Sequence, residues 1–274
     1  MRLLSVLSAA GFALAGSAQA ASLEVKDAVV RIVVIPEARD DIQVQILSTN
    51  PKLPLKIRTQ DGKVVIDGGL QRKIRSCGSG ATGSNVQVAG VGNLEYREIP
   101  QVVLRTPMDV RIGAGGAVFG SVGKSASVQL ANAGCGDWTI ANVQGRLKID
   151  QAGSGDTRAG SAGEAALRVA GSGDISTQAI GGAFHVDIAG SGDVKAASVD
   201  GPLDVKTAGS GDVFVAAGRG GPMTVTVAGS GSVTFNGAAQ SLKARVAGSG
   251  DVRVKAVAGA VSKAVVGSGA VTIG

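Results

Sequence analysis

The chain has 274 residues, of which 44% are hydrophobic but only 3% aromatic, with 43 glycines and two cysteines. Its formal net charge is +6 at pH 7, yet cations and acids are interspersed along the whole length, which excludes the basic block of a nucleic-acid patch. The apolar content, carried by Val, Ala, Leu and Ile, describes a β-rich protein built on small side chains.

The N-terminus reads as a leader. Arg2 precedes an apolar run over residues 3–15, and Ala18-Gln19-Ala20 follows, the layout of a secretory signal peptide cleaved after Ala20. The run is well short of the roughly 20 residues a membrane anchor needs. No cysteine follows the cleavage site, which excludes a lipoprotein, and every later apolar stretch is interrupted by charge or glycine. Residues 1–20 are therefore expected to be removed on export, leaving no membrane-spanning segment, with the mature chain in the periplasm or at the cell surface of a bacterium.

Residues 21–75 predict a β-strand cap continuous with the repetitive remainder of the chain. Here "SLEVKDAVVRIVVIP", "DIQVQIL", "PLKIRTQ" and "GKVVIDG" are strands of alternating or continuous apolar residues, separated by Pro, Asn, Asp and Gly signals. A less regular turn is expected around Val86, Val88, Leu94 and Tyr96, then a loop over residues 97–107, which contain Pro100 and Pro107.

From residue 76 to residue 274 the chain repeats itself. The five-residue motif "AGSGD" and its variants place a fifth position at Ala117, Asp137, Asp156, Asp174, Asp193, Asp212, Ser232, Asp251 and Ala270, in steps of 18 to 20 residues. Fixed self-similarity at such a period marks a solenoid, whose coils bury their apolar faces only by stacking. Between corners the apolar residues alternate, as in Phe184, Val186 and Ile188 or Val213 and Val215. Period-two alternation in short runs means strands. The predicted fold is an all-β, right-handed parallel β-helix with coils of about 19 residues, stacked at ~4.8 Å. Asp150, Arg168, Asp187 and Lys206 then fall in one outward column with alternating sign, a pattern that played no part in choosing the register.

Two readings of the corner aspartates compete. In the first, the glycines supply the special backbone of a turn while the aspartate accepts hydrogen bonds from turn amides. In the second, Asp137, Asp156, Asp174, Asp193 and Asp212 form a ladder of carboxylates ~5 Å apart whose repulsion a calcium ion would relieve. Calcium wants six to eight oxygens, and Ser232 and Ala270 replace the aspartate without loss of the repeat, so turn-making is preferred. Cys77 and Cys135 are an even pair in an oxidising compartment and predict one disulfide; two cysteines alone make a poor metal site.

Catalytic readings fare badly. "GKS" at residues 123–125 lacks the upstream glycine of a phosphate loop, having Val118 there, and the sole histidine, His185, alternates outward between Phe184 and Val186. Carboxylates distributed one per coil do not make the facing pair of a glycosidase. No enzyme activity and no cofactor are expected. At the far end Lys263 falls on the inward register of Val261 and Val265; it either blocks runaway pairing at an open edge, through which copies could associate, or marks a frayed last coil.

The strands over residues 22–69, the "SCGSG" at residues 76–80 and the run of "AGSGD" corners resemble the bacterial putative auto-transporter adhesin head GIN domain family, over nearly all of the mature chain. The resemblance implies a right-handed β-helix exported to the envelope, with no catalytic residues to carry over. The sequence departs from the family's label in one respect: a true autotransporter needs a C-terminal membrane barrel, and no segment up to Gly274 reads as one. The function expected is that of a non-catalytic structural or adhesive surface, with an envelope protein or polysaccharide as partner; the alternative is a cation- or glycan-binding module using the aspartate corners.

Overall fold

Short alternating strands separated by glycine corners can bury their inward side chains only if each winding lies on the next. That is the architecture in the computed structural model, which describes residues 21–60, 62–80 and 83–274; the expected leader lies outside the described residues. One regular winding shows the plan. Phe184–Gly190 pairs in parallel with Glu164–Val169 before it and with Leu203–Gly209 after it. Val194–Val199 pairs in the same way with Ile175–Ile180 and Val213–Val215. Two ladders of parallel strands therefore run side by side to the last strands, Val261–Val266 and Val271–Ile273.

The inward positions, among them Phe184, Val186, Ile188, Val205, Val225 and Val246, are nearly without solvent exposure and belong to one continuous core. Each such side chain contributes roughly 1.5–3 kcal/mol by leaving water. The outward positions confirm the register read from the charges: Asp150 lies opposite Arg168, Arg168 opposite Asp187 and Asp187 opposite Lys206.

The N-terminal part starts the tube rather than standing beside it. Strand β1 (Ser22–Pro36) pairs in parallel with a second long strand, Asp109–Val122, on both sides of a register shift between Val25 and Ala28. The chain between those two partners runs out to the far side of β1. There β2 (Gln43–Ser48), β3 (Lys56–Gln60) and β4 (Lys63–Asp67) form, with β4 parallel to the first half of β1 and β3 antiparallel to β4. A hairpin-rich meander comes next, of β5 (Ile74–Gly80), β6 (Gly83–Val88) and β7 (Gly92–Glu95). The chain then re-enters the sheet as β8 (Gln101–Thr106), parallel to the second half of β1, with β2 antiparallel to it.

Two expectations are corrected here. The loop foreseen over residues 97–107 contains β8, whose Val102 and Leu104 are fully buried; Pro100 and Pro107 bound the strand instead of preventing one. The irregular turn around Val86 and Val88 is the antiparallel meander, which packs on the outside of the tube. Val86, Val88 and Leu94 make a second small core there with Val29, Leu53, Ile99 and Phe119. The Cys77–Cys135 disulfide fastens this meander to a solenoid corner, across 58 residues of chain.

The first register point is also corrected. Gly116 pairs with Gly134 and Gly120 with Trp138, so the residue one coil before Asp137 is Phe119, not Ala117. The 18-residue offset arises because the long strand Asp109–Val122 carries "GGAVF" where later coils carry the corner motif.

Candidate functional site

The most repeated polar groups of the chain lie along one edge of the tube, at the corners. The Oδ1 atoms of Asp137, Asp156, Asp174, Asp193 and Asp212 accept, in turn, the backbone N–H of Asp156, Asp174, Asp193, Asp212 and Ser232, at 2.7 to 3.0 Å. The Ser232 hydroxyl then takes the Asp251 amide at 3.3 Å, and Asp251 Oδ1 takes that of Ala270 at 3.0 Å. Each acid thus holds the same position of the following coil. A serine does the same work at longer reach, and Ala270, at the end of the column, needs only to donate.

The two glycines of the motif are fixed by the same stacking. A Cβ on Gly190, which sits at φ 154°, would lie 2.3 Å from the Gly171 carbonyl oxygen, and one on Gly192 would lie 2.3 Å from that of Gly173. Adjacent corners approach backbone to backbone, and only hydrogen fits between them. The carbonyl of Gly171 meanwhile accepts from both Ser191 and Gly192. The two glycines and the aspartate of the corner therefore each have a structural task, while the side chains of Ala189, Ser172 and Ser191 stand at the surface.

The second carboxylate oxygen faces solvent and local cations. Asp251 Oδ2 meets Arg253 at 2.6 Å, while Asp156 and Asp193 lie 3.8 Å from Arg158 and Lys195. Among the described residues no group of three or more His, Cys, Asp or Glu is arranged to hold a metal ion. His185 faces outward in register with Asp204, its Nδ1 3.2 Å from Oδ2, with both side chains 43% exposed. The "GKS" stretch falls in the turn after the long strand Asp109–Val122, with Lys124 exposed and Ser125 buried. Lys263 occupies the inward register opposite Ala244, and its ammonium donates to the carbonyl of Val271 at 2.9 Å, across the open end.

One polar cluster escaped sequence reasoning. Arg31 on β1, Tyr96 at the end of the meander and Asp137 at the head of the aspartate column line one depression beside the disulfide-bound meander. They are 106 positions apart in sequence at the extremes, and the only local signal was that Arg31 interrupts the apolar run of residues 28–36.

Residues 165–274 match the family described as "Putative auto-transporter adhesin, head GIN domain", so the resemblance carried by the corner motif is borne out over that segment. The chain matches no curated protein. Among solved structures, one titled a putative lipid binding protein from Parabacteroides distasonis ATCC 8503 is similar with a TM-score of 0.52 at 17% identity, over 93% of this chain and 94% of that one. A putative adhesin from Bacteroides fragilis NCTC 9343 gives a TM-score of 0.46 at 14% identity, over 93% of each chain. At such identities the first of these likenesses speaks to the fold alone.

Proposed function

We propose, with the match of residues 165–274 to the adhesin head GIN domain as the premise, that this chain is a non-catalytic, exported β-solenoid offering a structural or adhesive surface in the bacterial envelope. That match is the observation that carries the reading. Two features of the molecule agree with it. The most repeated side chains, the corner aspartates, are committed to holding the next coil through Oδ1. The leader-like residues 1–20 fit export. A solenoid of this kind presents long ladder faces whose outward residues vary freely while the tube persists, which suits a surface selected for contact.

The alternative, a calcium module at the aspartate corners, would have to work with one uncommitted oxygen per coil, against a requirement of about six to eight. Thermal melting with calcium and with chelator decides it, since a bound cation raises the melting temperature by mass action and indifference removes the module. The envelope reading is tested by fractionating producing cells and sequencing the N-terminus of the product. Recovery outside the cytoplasm with Ala21 first supports it; an intact N-terminus retained in the cytoplasm overturns it.

A further inference from the structure

The aspartate column has an irregular head. From Asp156 to Ala270 the amide of the fifth corner residue is taken by a side chain one coil earlier. One coil before Asp137 stands Phe119, which carries no acceptor, and the Asp137 amide has no hydrogen-bond acceptor among the described residues. A backbone donor that the rest of the column pairs with a side-chain oxygen is thus left without one, on a residue that lines a depression of about 300 Å³.

The same depression holds a guanidinium fixed in place. Arg31 lies in register with Phe119; its Nε donates to the Ile99 carbonyl at 3.0 Å, and its guanidinium carbon sits 5.0 Å from the Tyr96 ring centroid. Tyr96 is itself braced edge-on by Phe119, with centroids 5.5 Å apart. Nε bonding and ring stacking hold the plane, while the two Nη groups have no acidic partner among the described residues. A guanidinium already oriented binds a carboxylate with little further loss of freedom, and charge-assisted bonds from Nη and a backbone N–H are the strong kind. The Asp137 carboxylate is no obstacle of a new sort. Successive carboxylates already stand one coil apart down the column, and here Arg31 adds a counter-charge.

The rest of the lining is uncharged: apart from the apolar Ile32, Val33 and Phe119, Ser121, Thr139 and Gln101 offer hydroxyl and amide groups in the same depression as the Tyr96 ring. The volume is at the lower end of ligand sites, suited to one ring rather than a folded partner. We propose that this depression binds the carboxylate of an acidic sugar, a hexuronic acid unit, through Arg31 and the Asp137 amide, with Ser121, Thr139 and Gln101 meeting its hydroxyls.

The test is a titration of the 15N-labelled protein with sodium glucuronate, glucose and acetate, following the backbone amides by NMR. Glucuronate should move the Asp137 amide saturably and leave that of Asp174, already bonded to Asp156, in place. Glucose should leave both amides in place, and acetate should bind more weakly than glucuronate. Arg31→Met should weaken glucuronate by about tenfold or more, with the unchanged Asp174 amide reporting an intact column. Phe119→Asp, where it folds, should supply the column's own acceptor and abolish the response. An Asp137 amide indifferent to glucuronate, or an unaltered response in Arg31→Met, overturns the site; acetate binding as tightly as glucuronate overturns the sugar. Failure leaves the envelope reading standing, since that is tested by fractionation.

Discussion

Asp174 Oδ1 and the amide of Asp193 are 2.9 Å apart, and this one contact states how a corner is built: an acid on one coil positions the acid of the next. Replacing Asp174 by Ala leaves the Asp193 amide without its acceptor and should destabilise the protein by about 1–3 kcal/mol in urea unfolding. Asp174→Asn keeps an oxygen in place and should lose less. Amide exchange should accelerate first at Asp193. An Ala variant as stable as the parent would mean that stacking alone holds the corners.

The second glycine of the motif makes a sharper prediction, because the chain contains its own control. A Cβ on Gly192 would stand 2.3 Å from the Gly173 carbonyl oxygen and 3.0 Å from Val169 Cγ1, inside a column that cannot open at one coil without opening at its neighbours. Gly192→Ala should cost about 2–4 kcal/mol. At Gly181, on the opposite turn, the nearest atom to a Cβ is 3.8 Å away, and Ala there should change stability by less than about 1 kcal/mol. Thermal unfolding of the pair measures the difference, and equal effects would remove the steric account.

These contrasts show where the sequence was readable. The column through Asp174, Asp193 and Asp212 was visible because each coil repeats both its spacing and its chemistry, so the register needed no knowledge of the fold. That the acid bonds the next coil's amide, rather than an amide of its own turn, was not visible, since both geometries need a short acceptor beside glycines. Where the repeat stops, legibility stops too. Phe119 replaces the aspartate, so nothing marked it as the residue opposite Asp137. Trp138 packs on Gly120, where a Cβ would come within 2.2 Å of its ring, a fit written nowhere in the motif. The site containing Arg31 and Tyr96 depends on an antiparallel excursion that brings distant segments together, and local alternation carries no information about that.

Acid should loosen the N-terminal cap through Glu24. Its carboxylate bridges Lys63 of β4 at 2.5 Å and Lys26 at 3.0 Å, and chiefly the Lys63 contact, then that of Lys26, holds its pKa below the ordinary value of 4.5. A carboxylate whose folded pKa lies below the unfolded one stabilises the fold fully above the unfolded value, and that contribution disappears as the pH falls through the folded one. The stability gap between the parent and Glu24→Gln should therefore be constant from neutral pH down to about pH 5 and close below it. It should also shrink with salt, the pair being partly exposed. A gap that persists unchanged at pH 2 would assign the effect to side-chain packing.

At the open end of the tube, Val261, Val265 and Val266 are 42%, 40% and 75% exposed, on a strand whose counterpart one coil earlier, around Leu242 and Val246, is buried by the coil that covers it. An apolar strand on an exposed edge invites pairing with another copy. Lys263 stands in the middle of that inward face, opposite the buried Ala244, and spends its ammonium on the Val271 carbonyl. A second copy stacked there would have to cover this charge, which is costly without an acid to meet it. Lys263→Val removes the obstacle and extends the apolar face. The variant should show a larger mass than the parent in sedimentation at the same concentration, increasingly so as concentration rises. Equal masses throughout would mean that the end is kept single by something other than Lys263.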